Sequence, residues 1–354
     1  MELLLLDKDF KICGIVDDYS SLVWNRKYNE CGSFILEPNI NNLKQFKNAK
    51  YLYCKDFTET AIIETFNKKD TIIGTQASYT GRFLESILEH RVINQTQKFV
   101  NKTTEDIIRS LVSTFAINSV DRAIPNLVLG ERKGIGTVKT TQITGENLLT
   151  KIYALCKEDE LSITLKYDFN IDKLVFEVWQ GLDRRDTQNE NTWAIFSKNF
   201  ENILEDEYSI DNTKYCNFAY VAGQGEGENR VIVEVNRVIE GEERKELYVD
   251  ARDLQKDEET TNAQYLEILK QRGIEKLNEY NKVETTNFNI NTLSNLEYKK
   301  DFDLGDIVIY INDELGFNIE NRIVEITESY ENKNKTINIT FGEEYNIKKI
   351  KEVI

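Results

Sequence analysis

The stretch VAGQGEGENR, Val221 to Arg230, sets Gly223, Gly225 and Gly227 at alternate positions. Glycines spaced in this way can cradle a phosphate when they follow a strand and open a helix, because the helix N-terminus then points its free N–H groups at the anion. Val221 ends a strand-like run, but Gly227 is followed by Asn229 and the alternating VIVEV, which reads as a second strand. Glu226 and Glu228 would repel phosphate, and no Lys-Ser/Thr pair follows. The stretch therefore predicts a wide glycine turn between two strands, with at least one glycine at positive φ.

Other reactive residue types are scattered. His90, in LEHRVI, is the sole histidine, so an imidazole-based triad could use only this residue and a two-histidine metal site within one chain is impossible. It reads as a structural histidine near a helix end. Asp and Glu together number 61, so carboxylate pairs are easy to find and single out nothing. EDE (205–207) and EGEE (240–243) read as solvated loops. A glycosidase needs only two acids and stays formally open. The five cysteines, Cys13, Cys31, Cys54, Cys156 and Cys216, form no C-x-x-C pair and read as small buried apolar residues in a reducing compartment. Trp24 and Trp179 lie in strand-like runs and read as core or interface anchors; Trp193 lies far from both. No catalytic, cofactor-binding or metal-binding residue is assigned.

The formal net charge of −16 disfavours gripping nucleic acid from outside, because phosphates need Lys and Arg to replace their counterions. With 40% hydrophobic residues, 30% charged residues and only two prolines, the composition is globular rather than disordered or fibrous, and 354 residues suffice for two or three domains. MELLLLDKDF lacks the basic flank and length of a signal core, and no run reaches the roughly 20 apolar residues of a membrane span. The expectation is a protein made in the cytoplasm, with no membrane segment.

Most of the elements that must carry these residues are strands. LLLLDKDFKICGIV, SLVWNRKYNECGSFILEPN, KYLYCKD and TAIIETFNKKDTIIGTQAS alternate or run apolar, with turns expected at Asp7-Lys8-Asp9, at NECG and at NKKD. GRFLESILEHRVI switches to helical spacing at Phe83, Leu84, Ile87 and Leu88. KTTEDIIRSLVSTFAI predicts an amphipathic helix capped by Thr103 or Thr104, and TGENLLTKIYALCKEDE predicts another. LSITLKYDFNIDKLVFEVWQG predicts a hairpin. Strands return from about residue 206, interrupted by one long helix in TTNAQYLEILKQRGIEKLNEYNK, with a Thr261/Gln264 capping box and an apolar face of Leu266, Leu269, Gly273 and Leu277. VETTNFNINTL, DIVIYI and a hairpin turning at NKNK close the chain. Residues 61–71 and 322–336 echo one another as strand, acidic residue, polar turn and strand, a pattern that any two hairpins share.

In this setting VAGQGEGENR, after a strand ending NFAYV, resembles a signature of phage tail hub proteins, the siphophage Gp-thirty-seven-like family, relatives of the baseplate hub of contractile tails. WNRKYNECGSFILEPN, with Gly32 and Phe34, resembles that family's first hairpin. GRFLESILEHRVI and DFDLGDIVIYI, with Gly305 and Asp306, resemble later elements, and the matches span nearly the whole chain in order. Gly32, Phe34, Gly223, Gly225, Gly227, Arg230, Gly305 and Asp306 carry the resemblance as structural turns. It implies a β-rich α+β chain: a β-barrel-like tube domain over 1–95, an α+β insertion over 96–205, and a second barrel over 206–354 with a helical excursion at about 250–284. It further implies a homotrimer that adapts a hexameric tail tube to a threefold tip, without cofactor. Its partners would be a tail tube or distal tail ring protein, a tip spike or fibre, a separate lytic protein and a tape-measure protein, with DNA only passing through the lumen; the net charge of −16 fits an acidic lumen, and ordinary solubility explains it equally well. No receptor-binding or wall-degrading extension is expected after the last hairpin. A glycosidase-type tail hydrolase and a host-receptor binding module are the alternatives from other classes.

Overall fold

The computed structural model describes residues 2–72, 74–258, 260–331, 334–342 and the backbone of 347–349. The chain opens with β1 (Leu3–Leu6), β2 (Ile12–Val16), β3 (Tyr19–Lys27), β4 (Ser33–Pro38), β5 (Tyr51–Tyr53), β6 (Thr60–Ile62), β7 (Thr65–Thr71) and β8 (Gly74–Arg82). A 3-10 turn over Leu84–His90 leads into β9 (Gln97–Thr103), α1 (Thr104–Val112), β10 (Leu127–Leu129), β11 (Val138–Ile143), α2 (Leu148–Glu158), β12 (Ser162–Asp168) and β13 (Lys173–Trp179). Then come β14 (Ile195–Ser197), β15 (Ile203–Asp211), β16 (Phe218–Ala222), β17 (Ile232–Asn236), β18 (Glu246–Asp250) and α3 (Asn262–Asn278). Strands β19 (Val283–Ile290), β20 (Ile307–Asn312), β21 (Phe317–Glu331), β22 (Asn334–Phe341) and β23 (Ile347–Lys349) complete it. The chain is β-rich and of the α+β class, and none of its described helices is long and apolar enough to cross a membrane.

One sheet joins the two ends of the chain. Its main path is β15-β19-β22-β21-β3-β4-β8-β7, antiparallel at every step, with β14, β20 and β23 attached through the long strand β21. The pairing of β3 with β21, from Lys27↔Glu325 to Ser21↔Glu331, makes the first and last segments one continuous sheet. Among the described residues that sheet stays open, ending at β15 and β7. Leu22, Trp24, Phe34 and Leu36 alternate inward from β3 and β4 into a core with Leu3, Leu5 and Phe57. A second core, around Phe196, Phe288, Tyr310 and Phe341, lies under β19 to β22.

Between them, α1 and α2 pack on β10-β13-β12 around Ile108, Leu111, Ile152, Leu155 and Phe176. Thr103 caps α1 by accepting from the Asp106 N–H. Leu84, Leu88 and Ile93, which precede residue 95, belong to this core. Residues 218–278 make a further layer: β17-β16-β18 covered by α3, with a core of its own. Thr261 and Gln264 form the reciprocal capping box at the start of α3.

Several sequence expectations are corrected. NKKD lies inside β7, and the hairpin turns after Thr71: Asp70 accepts from Lys68 on its own strand and from Thr75, its partner across on β8. Leu266 is exposed; the apolar face of α3 runs through Tyr265, Ile268, Leu269, Gly273 and Leu277. EDE (205–207) is strand rather than loop, and Cys13 is exposed rather than buried. The NKNK turn falls partly outside the described residues, although β21 and β22 pair up to Glu331↔Asn334.

Candidate functional site

The glycine stretch joins antiparallel β16 to β17, and it is fully occupied in holding itself together. Gly225 has φ +99° and Gly227 has φ +54°, both in the left-handed region that costs glycine nothing. Gly223 is needed for a different reason: a Cβ there would lie 2.4 Å from Tyr265 Oη and 2.8 Å from Leu269 Cδ1. The turn thus sits directly on α3. Tyr265 Oη accepts from the Gln224 N–H at 2.8 Å and donates to Leu254 O at 3.0 Å, which fixes the turn to the helix.

Arg230 closes the loop. Its guanidinium donates to Gly223 O at 3.1 Å, Ala222 O at 2.9 Å, Tyr248 Oη at 3.2 Å and Asp250 Oδ1 at 2.6 Å. Bonds from Arg252, and then from Arg230, hold the Asp250 carboxyl down to about 2. The only helical residues here, Gly227–Asn229, make a single 3-10 turn. The geometry locks β16, β17, β18 and α3; the open cleft of about 460 Å³ beside the turn, lined by Gly225, Glu226, Gly227, Arg230 and Arg252, has both guanidiniums paired with Asp250 and a carboxylate on its rim.

The other four residues carrying the resemblance, Gly32, Phe34, Gly305 and Asp306, are also buried in close packing. A Cβ on Gly32 would come within 2.4 Å of Phe83 Cε2 and 2.5 Å of Asn25 O, and Phe34 is buried beside Trp24. Gly305 has φ +85°, and its Cβ would meet the Tyr28 ring at 2.4 Å. Asp306 is buried and fully used: Oδ2 pairs with Arg184 Nε at 2.6 Å and accepts from Asp303 N, while Oδ1 accepts from Leu182 N at 2.7 Å. Arg322 donates to Gly305 O. These residues are spread over three different cores rather than gathered at one site.

The structure also builds two polar clusters that the sequence reading missed. Arg26, 5% exposed, pairs with Glu59 at 2.7 Å and Asp303 at 2.6 Å and donates to Tyr298 Oη at 2.9 Å. Tyr298 and Tyr330 both donate to the buried Glu328, which also pairs with Lys335 at 2.7 Å. This network clamps β3 to β21. Its signal in the sequence was the inward alternation Leu22-Trp24-Arg26, in which a charge takes the next core position.

The second cluster is centred on Glu85, in the 3-10 turn after β8. Oε1 accepts from the Leu165 N–H at 3.0 Å, while Oε2 is buried without a partner. Burial pushes this carboxyl up to about 7, and the neighbouring Glu59 charge adds to the effect. A carboxyl so placed has the protonation behaviour of a general acid. However, the cavity beside it, lined by Arg26, Glu59, Tyr153 and Thr164, measures about 20 Å³, room for one water and no sugar. The larger cleft nearby, about 440 Å³, sets Lys27, Lys157, Arg185 and Arg322 against Glu30, Glu160, Glu320 and Glu325, so its charges cancel. Among the described residues no group of three or more His, Cys, Asp or Glu is arranged to hold a metal. His90 is exposed at the end of its turn.

The comparisons with known proteins bear on what such a scaffold belongs to. No curated protein matches the chain. Three solved structures share its fold over nearly the full length of both partners. The prophage MuSo2 43 kDa tail protein of Shewanella oneidensis matches with a TM-score of 0.58 at 15% identity, covering 96% of this chain and 98% of that one. The tail protein of Neisseria meningitidis MC58 matches with a TM-score of 0.57 at 13% identity, covering 97% and 95%. The prophage tail protein gp18 of Listeria monocytogenes EGD-e matches with a TM-score of 0.55 at 13% identity, covering 97% and 94%. A family model described as Siphovirus ReqiPepy6 Gp37-like protein matches residues 2–343. The chain belongs to that family of phage tail proteins.

Proposed function

We propose that this protein is the structural hub at the tip of a phage-like tail: a homotrimer whose two tube-like β segments, residues 1–95 and 206–354, place six similar faces around an axis. The ring adapts a hexameric tail tube to a threefold spike or fibre. A tail tube or distal tail ring protein sits above it, a tape-measure protein and DNA pass through it, and a separate protein supplies any lytic activity. The particle is a virion or a phage-tail-like assembly made in a bacterial cytoplasm.

The observation that carries this reading is the family match over residues 2–343. It is supported by the use made of the polar groups. Arg230, Asp306 and Arg26 spend their bonds joining strands and loops, as expected of a structural scaffold. The carboxyl with the most enzyme-like environment, Glu85, faces a space too small for a substrate, which counts against a glycosidase. The net charge of −16 suits a lumen that lets duplex DNA slide.

Light scattering on the purified protein tests the assembly. The expected mass is three times 41.3 kDa, with rings visible in cryo-images. A monomer at every concentration and no ring in particles would overturn the reading.

A further inference from the structure

Residues 212–282 leave the large sheet and return to it at one place. β15 ends at Asp211, β19 begins at Val283, and these two residues pair. Between them lie β16, β17, β18 and α3, packed on a core that shares no residue with the other three. The Cys216 N–H donates to Tyr280 O at 2.9 Å and ties the entry of this segment to its exit. The segment is one folded body on a double-stranded stem.

The stem is thin. β22 pairs with β19 over Thr286–Asn289, so among the described residues the rungs Ser209↔Thr285, Ile210↔Glu284 and Asp211↔Val283 form a two-stranded ribbon. Ser209, Ile210, Asp211 and Val283 are exposed. Such ribbons take more twist than a broad sheet and hold little stability of their own.

Away from the stem, the body rests on β9, β11 and α2, and the bonds that cross this seam are charged or polar. Lys151 of α2, 4% exposed, pairs with Glu275 of α3 at 2.8 Å. Lys98 of β9 pairs with Asp257 and donates to Thr260 Oγ1 at 3.3 Å, and Gln271 of α3 donates to Glu158 of α2. Clefts of about 600 and 240 Å³ open along the seam. Gln142 Oε1, Glu146 Oε2 and Glu275 Oε1, on residues lining them, are buried without a hydrogen-bond partner. An interface of this kind gives little net attraction, because desolvating the charges offsets most of their Coulomb gain, whereas the apolar core on either side holds each body together.

We propose that residues 212–282 are an arm that detaches as a rigid body from the α1/α2 unit and swings on the β15–β19 ribbon, with the charged seam as its latch. A contact elsewhere on the arm then moves it without unfolding it. The inference rests on the layout of this chain and is independent of the trimer reading above.

The latch is tested by breaking it and then replacing it. Lys151→Met leaves Glu275 and Glu146 without their shared cation; Arg272, 3.9 Å from Glu275, lies on α3 and moves with the arm. The double variant Lys151→Met/Glu275→Leu sets apolar groups across the same gap, an exchange that is often neutral or stabilising for a buried ion pair. Zero-length carbodiimide cross-linking of Lys98 to Asp257, located by peptide mass spectrometry, reports docking at a point that neither variant touches. The cross-link should form in the wild type, fall at least about fivefold in the single variant and return in the double one. Hydrogen exchange at the Val221 amide, in the central strand of the arm's own sheet, should stay equally slow in all three proteins. A wild type without the cross-link, a single variant that keeps it, or a double variant that fails to regain it overturns the latch. Loss of Val221 protection in the single variant overturns the arm as a separate body and makes the seam part of one continuous fold.

Discussion

Replacing Glu85 by Gln should stabilise the protein at alkaline pH and leave it nearly unchanged in acid. The carboxyl is 5% exposed, and one of its oxygens has no partner. Burial raises its folded-state value from 4.5 to about 7. The folded chain therefore binds this proton more tightly than the unfolded chain does. The associated stability is fully present below about pH 4.5 and is lost as the pH rises through about 7. A shift of that size corresponds to about 3 kcal/mol. For a chain of this length that is roughly 4 °C in melting temperature if the whole molecule unfolds together. Gln keeps an oxygen for the Leu165 N–H and cannot ionise. Urea unfolding of both proteins at pH 5 and pH 8, followed by tryptophan fluorescence, measures the difference. Hydrogen exchange at the Leu165 amide should show the same trend, because that bond joins the 3-10 turn to β12. A variant no more stable than wild type at pH 8, or a difference equal at the two pH values, would refute the reasoning.

The remaining predictions concern the packing points. Gly223→Val should destabilise by about 3 kcal/mol or more in thermal melts, because its side chain collides with Tyr265 and Leu269, whereas Gly227→Ala, with open space around it, should cost about 1 kcal/mol. Arg184→Met leaves Asp306 buried without its cation and should cost about 3–5 kcal/mol by urea titration. Thr261→Ala removes the cap of α3 and should cost about 1 kcal/mol, read from helical circular dichroism on heating. ATP, GTP or NAD should leave the melting temperature unchanged; a rise of several degrees would mean that the glycine turn binds phosphate after all.

Local patterning in the sequence determined much of the secondary structure, because side-chain periodicity and capping act over a few residues. The β12–β13 hairpin, the Thr103 cap, the Thr261/Gln264 box and the glycine turn between β16 and β17 were all legible in this way. The positive φ values at Gly225 and Gly227 followed from their place between two strands. The ordered motifs around Gly32, Gly223 and Gly305 pointed to the family. The NKKD turn failed because a polar run on an exposed edge strand resembles a loop when only its composition is read. Leu266 failed because a helix face is chosen by what the helix covers, here β16 and β17, rather than by hydrophobicity alone. Only the tertiary structure could decide contacts distant along the chain. The pairing of β3 with β21 joins residues some 300 apart, and no local periodicity encodes it. The same closure sets Arg26 between Glu59 and Asp303, and a separate contact, 80 residues apart along the chain, seals Glu85 beside Leu165. A carboxylate's protonation depends on the water and charges around it, and those are set by neighbours that the fold supplies.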